Sequence, residues 1–272
     1  MTNLDQFYTK DDIALNCFNT LKKYTNIEEY DIILEPSAGK GAFFKLIPEH
    51  KRQGIDLEPK LEGIIKQNFF KYNYDTTKKY IVIGNPPFGK ISSIAVKFFN
   101  YASQFADIIA FIIPRTFKRV SIQNQLNPNF NLIYNEDLPL KPCCFEPVMG
   151  AKCCFQIWKR NDTPRTLVKY NKTHKDFKFV KLGPLDDKKQ PTPPTTADFV
   201  IKAYGSNCGE VITKDLISLR PKSWHWIKSN IDIELLKIRF KQLDYSMSKD
   251  TVRQDSLGQQ ELIYLYELKF GL

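Results

Sequence analysis

Long hydrophobic runs are missing from this chain of 272 residues. No apolar stretch approaches the roughly 18–20 residues of a membrane-spanning helix, so no membrane role is expected. Cysteine is scarce. Six residues, at 17, 143, 144, 153, 154 and 208, are too few and too clustered for a secreted disulfide framework in a chain this long. The pairs Cys143-Cys144 and Cys153-Cys154 lack the spacing of zinc ligands, and neighbours on a strand point to opposite faces. No metal site is expected. His174 and His225 stand isolated, which gives no pattern for histidine catalysis. The glycines form no G-x-G-x-x-G and no Gly-Lys-Ser/Thr loop, which excludes a dinucleotide fingerprint and a P-loop. Met1 to Gln6 has neither the basic start nor the apolar core of a signal peptide. Together these absences predict a reduced, intracellular protein, cytoplasmic or associated with a nucleoid or nucleus.

What the chain does have is positive charge. Forty Lys and Arg face thirty Asp and Glu, a net of +10, which favours a polyanionic partner. Hydrophobic residues make up 42% and aromatic residues 13%, enough to build a core.

Along the chain, short apolar runs alternate with helical spacing. Ile13, Leu15, Cys17, Phe18 and Leu21 fit a helix behind Asp11-Asp12. Runs at 31–35, 53–57, 80–84 and 106–113 read as strands. A helix is predicted over 92–105, and a shorter one around Phe43 to Ile47, stopped by Pro48. Two further strands near 130–135 and 151–159 suit an antiparallel pair. Strands apolar on both faces imply a largely parallel sheet covered by helices. The predicted fold is α/β, a Rossmann-like doubly wound sheet with a C-terminal antiparallel hairpin, spanning 1–160. Residues 161–272 read as a small, basic α+β extension. Sites in a doubly wound sheet lie at the carboxyl ends of the strands.

The sharpest local signal is Asn85-Pro86-Pro87-Phe88, directly after an apolar strand. A planar, poorly nucleophilic NH2 group needs this kind of arrangement. An amide oxygen on Asn85 and a carbonyl on the stiff backbone at Pro86 can accept its two N–H bonds. That steers the nitrogen lone pair out of conjugation. Phe88 offers a face for an extruded base. A strand-ending turn explains the same four residues if they stood alone. Upstream, Glu35-Pro-Ser-Ala-Gly-Lys-Gly-Ala-Phe43 forms a strand-to-helix loop in which Gly39 and Gly41 permit close approach of a ligand to the backbone. Asp56 ends the next strand, where an acid can bind ribose hydroxyls.

The order Phe7-Tyr8-Thr9, Glu35 to Phe43, Gly54-Ile-Asp56 and Asn85-Pro-Pro-Phe88 resembles the amino-methyltransferases that use S-adenosylmethionine. It is most similar to the gamma-class DNA adenine-N6 methyltransferases, over roughly residues 4–160. The resemblance implies S-adenosylmethionine as cofactor and S-adenosylhomocysteine as product. It implies that Tyr8 and Thr9 lie beside the methionine portion, and that Glu35, Pro36, Ala38 and Gly39 hold its amino-acid end. Asp56 would bind the ribose, Leu57 would pack on the adenine ring, and Asn68 and Phe69 would take the place of the residues at the adenine amino group. Asn68 stands where the family has an aspartate. Asn85 and Pro86 would hold the target amine, Phe88 would stack on the target base, and Phe145 would supply the opposite aromatic face. No general base is conspicuous. Positioning suffices in principle, because an oriented attack gains up to about 7–11 kcal/mol.

After residue 160 the basic residues become regular. Lys169, Lys172, Lys175, Lys178 and Lys181 are spaced by three with Tyr170 and Phe177 between them. Lys172, Lys175 and Lys178 are the candidate phosphate contacts, with the aromatics against bases or sugars, unless the ribbon is merely a solvated edge. Trp224-His-Trp226 suits either stacking or anchoring. The expected substrate is DNA adenine, with RNA adenine as the alternative. A protein glutamine amide and a silent nucleic-acid-binding subunit are less well matched. The short extension leaves room for a partner subunit or a homodimer.

Overall fold

The computed structural model describes residues 7–271. Met1 to Gln6, read above as lacking a targeting signal, lie outside the described residues, as does the first part of the span resembling the family. The chain forms two compact units, 1–167 and 168–272. Residues 161–165 stay with the first because the Arg165 guanidinium donates to the carbonyls of Gln123 and Leu126, and the Arg165 N–H donates to Pro128. No described helix is long and apolar enough to cross a membrane.

The first unit contains β1 (Tyr8–Thr9), β2 (Ile32–Pro36), β3 (Arg52–Asp56), β4 (Ile65–Lys66), β5 (Tyr80–Gly84), β6 (Ala106–Pro114), β7 (Phe130–Asp137), β8 (Phe145–Glu146) and β9 (Cys153–Arg160). Its helices are α1 (Asp11–Tyr24), α2 (Ser93–Ala102) and α3 (Val120–Gln123). Seven strands make one sheet in the order β4-β3-β2-β5-β6-β9-β7. β4, β3, β2, β5 and β6 are mutually parallel, and β9 runs antiparallel between β6 and β7. The fold is thus the doubly wound α/β sheet with its antiparallel C-terminal hairpin. Every residue of β2 and β5 is buried, as central parallel strands require. The chain leaves β2 toward β3 on one side and returns to β5 on the other, so the strand order reverses there. That reversal opens a crevice at the carboxyl ends of β2 and β5.

Two local expectations are corrected. The segment Phe43 to Ile47 makes only a 3-10 turn, Phe44–Leu46. Six residues between Gly41 and Pro48 are too few to repay helix nucleation. The hairpin expected of the strands near 130–135 and 151–159 is joined by residues 138–152 rather than by a short link. That segment includes β8, which leaves the sheet to pair antiparallel with β1, Thr9 opposite Phe145.

The second unit is α+β. It contains β10 (Phe177–Phe179), β11 (Phe199–Lys202), β12 (Val211–Ile212) and β13 (Trp224–Ser229) in an antiparallel sheet ordered β10-β13-β11-β12, with α4 (Ile233–Lys241) and α5 (Gln259–Phe270). Phe199, Ile201, Ile227, Leu236, Phe240, Leu262 and Tyr266 share its core. β12 ends at Ile212, and Leu216–Ser218 forms a 3-10 turn.

Candidate active site

Three loops meet the carboxyl edge of the parallel strands. The first follows β2. Ser37, Gly39 and Gly41 take left-handed φ values of 54°, 50° and 71°. Gly39 is required on two counts. A Cβ there would lie 2.7 Å from Cε1 of Tyr8, and the conformation itself disfavours a side chain. The Tyr8 ring therefore rests on the turn, and the Lys40 ammonium sits 4.8 Å from its centroid. The Ala38 N–H donates to the Ile55 carbonyl at 2.9 Å, fastening the turn to β3.

Glu35, placed by the resemblance at the cofactor's amino-acid end, bonds the backbone of its own loop. It is 3% exposed. Its Oε2 accepts the Phe44 N–H at 2.6 Å and its Oε1 accepts the Phe43 N–H at 3.4 Å. Glu35 thus shapes the turn from beneath, and the carboxyl faces protein backbone. Burial pushes its pKa up to about 8, against the two backbone bonds, which lower it. A carboxyl whose pKa is raised in the folded state contributes stability that is fully present below about 4.5. That stability is lost as pH rises through about 8. Chemical denaturation from pH 4.5 to 9 should show this decline, and Glu35→Gln, which mimics the neutral acid, should flatten it.

The second loop follows β3. Asp56 Oδ2 accepts the Gly39 N–H at 2.8 Å, and Oδ1 accepts the Glu58 N–H at 2.7 Å. Each oxygen retains acceptor capacity for a hydroxyl. Leu57, beside it, is 49% exposed at the mouth of the crevice. Asn68 follows β4, where its Oδ1 accepts the Phe70 N–H at 3.0 Å and caps the turn Phe69–Lys71. Phe69 is corrected. It is buried among Phe98, Tyr101 and Phe105, with the Phe98 ring stacked at 5.0 Å. It belongs to the core and presents no face to a ligand.

The third loop follows β5. Asn85 is half-buried, Pro86 buried, and Pro87 and Phe88 half-buried. Asn85 Nδ2 donates to the carbonyl of Phe7 at 3.1 Å. A carbonyl only accepts, so this bond fixes which end of the amide is nitrogen and leaves Oδ1 as a lone acceptor. That oxygen is buried without a hydrogen-bond partner. The buried Oγ1 of Thr9 is also without one. Unpaired buried polar atoms are few in folded proteins, and each needs a partner or a role to explain it. The β1–β8 ladder then sets buried Phe145 directly opposite Thr9. Residues 7–9, 85 and 145 are thereby joined through one carbonyl and one strand pair.

Some contributors carry no sequence signal. The Phe7 carbonyl is a backbone group. The Ser37 hydroxyl lies 2.5 Å from the Pro36 carbonyl and 3.4 Å from that of Asn85, linking two loops. In the second unit, Lys172, Lys175 and Lys178 are all exposed. Phe177, expected against bases, is 1% exposed and packs on Phe240 and Tyr266. Alternation along β10 puts Lys178 outward and Phe177 inward. Tyr170 stacks on Tyr264 at 4.6 Å. Trp226 is buried, with Nε1 donating to the Pro221 carbonyl, and buried His225 bonds the Leu257 carbonyl. Among the described residues, no group of three or more His, Cys, Asp or Glu is arranged to hold a metal ion.

No protein-family model matches the chain, and no curated protein does. Several solved methyltransferase structures are similar in part. The 23S rRNA methyltransferase ErmE is 14% identical, with a TM-score of 0.42 over 60% of this chain and 72% of that one. Magnesium protoporphyrin IX methyltransferase from Synechocystis, with bound SAM, is 10% identical, with a TM-score of 0.41 over 56% and 79%. The plantazolicin methyltransferase BpumL, in complex with SAH, is 12% identical, with a TM-score of 0.39 over 56% and 84%.

Proposed function

We propose that this protein is an S-adenosylmethionine-dependent methyltransferase acting on the N6 amino group of adenine in DNA, with the base flipped into the site at Asn85 to Phe88. The observation that carries the reading is the lone buried acceptor, Asn85 Oδ1, held in place by the Phe7 carbonyl. The motif order from Tyr8 to Phe88 supports DNA as the substrate, and RNA adenine is the alternative that the assay below separates.

The residues present fit the cofactor. Ala38, Gly39 and Tyr8 form a cradle that a Cβ at Gly39 would fill, and Thr9 adds an unpaired hydroxyl. Asp56 keeps acceptor capacity for the ribose, and Leu57 lies exposed beside it for the adenine ring. When bound, S-adenosylmethionine supplies a methyl group on a cationic sulfur. Asn85 Oδ1 and the Pro86 carbonyl accept the two N–H bonds of the target amine. This withdraws the nitrogen lone pair from the ring and aims it at the methyl carbon. The bound cofactor would supply the methyl carbon to that nitrogen and depart as the neutral thioether, and one amine proton would pass to water. The acid is strong only once the nitrogen is alkylated, so no buried base is needed. Half-buried Phe88 flanks the base, whereas Phe145, at 3% exposed, packs opposite Thr9 and offers it no open face.

The test is transfer of labelled methyl from S-adenosylmethionine to matched DNA, RNA and protein, followed by nucleoside analysis. N6-methyladenine from DNA is the expected product. Label only in RNA would replace the substrate, and label in none would reject the activity. The exposed lysines of the second unit are proposed phosphate contacts. Replacing Lys172, Lys175 and Lys178 with Gln should weaken polynucleotide binding and lower the slope of log K against log salt by about 2–3. Titrations between 50 and 200 mM salt, on the order used for such slopes, check it. An unchanged slope would return the ribbon to plain solvation.

A further inference from the structure

Two apolar side chains stand out from the surface of the first unit. Ile91 is 74% exposed and Val148 is 81% exposed, while no other large hydrophobic side chain described there exceeds 52%. Their places in the chain correspond. Ile91 lies just beyond Phe88, and Val148 just beyond Phe145, the two aromatics that the resemblance places at the target base. Both loops rise from the same edge of the sheet. One leaves the carboxyl end of β5. The other joins the end of β7 to the start of β9, where Cys153 pairs with Pro114 at the end of β6.

Ile91 is held outward by its surroundings. Its backbone is left-handed, φ 51° and ψ 42°, a region a β-branched residue rarely enters and that stores strain. Gly89 and Ser92 beside it also have positive φ, 68° and 61°. Ser92 is 1% exposed, and its hydroxyl lies 2.7 Å from that of Thr116. The Phe88 carbonyl accepts the N–H groups of Ile94 and Ala95. Gly89 packs so closely on Ile94 that a Cβ would fall 2.4 Å from its Cγ1. The far loop is tied as well, by the Met149 N–H to Cys143 Sγ at 3.4 Å and by the pairing of Phe145 with Thr9.

A base drawn from a duplex leaves a gap in the stack, and nucleic-acid-binding proteins fill or open such gaps with apolar wedges. We propose that Ile91 and Val148 are a pair of apolar prongs that enter a base-paired nucleic acid beside the target and hold the stack open while the adenine is out. The exposed Lys90 next to Ile91 suits the phosphate at the breach. This rests on the adenine-flipping reading above.

The test compares the wild type with an Ile91→Ser, Val148→Ser double variant on one adenine target, placed in a matched duplex and in a single strand. A duplex with 2-aminopurine at the target reports unstacking directly by fluorescence. The double variant should lose at least about tenfold in the ratio of duplex to single-strand rates, because unstacking requires a few kcal/mol, and should lose the fluorescence rise on the duplex. Ile91→Asn is the second variant. Asparagine tolerates the left-handed backbone, so it should raise the melting temperature while lowering the same ratio. An unchanged ratio with an unchanged fluorescence rise overturns the inference and leaves the exposed pair to a protein partner. If the wild type methylates adenine in neither form, the adenine reading fails instead, and the 2-aminopurine signal still reads the prongs.

Discussion

Asn85→Ala is expected to lower methyl transfer by roughly 10²–10³-fold. That is the usual loss when one preorganised group at a reacting centre is removed. Binding of S-adenosylmethionine and of polynucleotide should change little. The expectation follows from the geometry. Asn85 is tied to the rest of the protein by one side-chain bond, to the Phe7 carbonyl at 3.1 Å, and its oxygen has no partner. Deleting it removes the proposed acceptor without taking a bond from the sheet. Asn85→Asp keeps an acceptor but sets a carboxylate oxygen against the Phe7 carbonyl. It should therefore recover part of the alanine loss while remaining below the wild type. Single-turnover transfer, with cofactor affinity measured by calorimetry, separates a chemical defect from a binding one. Alanine activity at the wild-type rate would dismiss the assigned site.

Glu35→Ala is expected to have the largest effect on stability. It strands two buried N–H groups, of Phe43 and Phe44, that the carboxyl now serves. Each unsatisfied donor costs about 1–3 kcal/mol, so the loss should be about 2–6 kcal/mol in urea unfolding. The turn at Ser37 to Gly41 sits on those bonds, so cofactor affinity should fall with it. Glu35→Gln should retain most of both, because its amide oxygen replaces Oε2 in the short bond. If alanine and glutamine behave alike, the carboxyl has a different role from the one its bonds indicate.

The two substitutions separate two kinds of residue that look alike in the sequence. Asn85 and Glu35 are both polar residues at the end of an apolar strand. Only the packing shows that one has an unpaired acceptor and that the other's two oxygens each accept a backbone N–H. The same holds for aromatics. Phe69, Phe88, Phe145 and Phe177 each follow or sit within a motif, yet Phe69, Phe145 and Phe177 are buried and only Phe88 is half-buried. Side-chain type fixes what a residue can do, while burial and neighbours decide whether it is free to do it.

The strands and their punctuation were legible because local chemistry writes them. Tyr80 to Gly84 and Ala106 to Ile113 are apolar on both faces, which only a covered parallel sheet tolerates. Pro48 and Pro114 stop what precedes them. Helix α5 was not legible, since Leu262, Ile263, Leu265 and Tyr266 crowd together without a clean 3.6-residue period, and all four are buried. By itself, then, the sequence determined the doubly wound sheet and the three loops at its carboxyl edge. It did so because hydrophobic period and turn residues act over a few positions. Only the tertiary structure decided which polar atoms in those loops remain unpaired. Phe7, Asn85 and Phe145 are brought together by one backbone carbonyl and one strand pair, and long-range backbone bonds of that kind depend on no particular side chain.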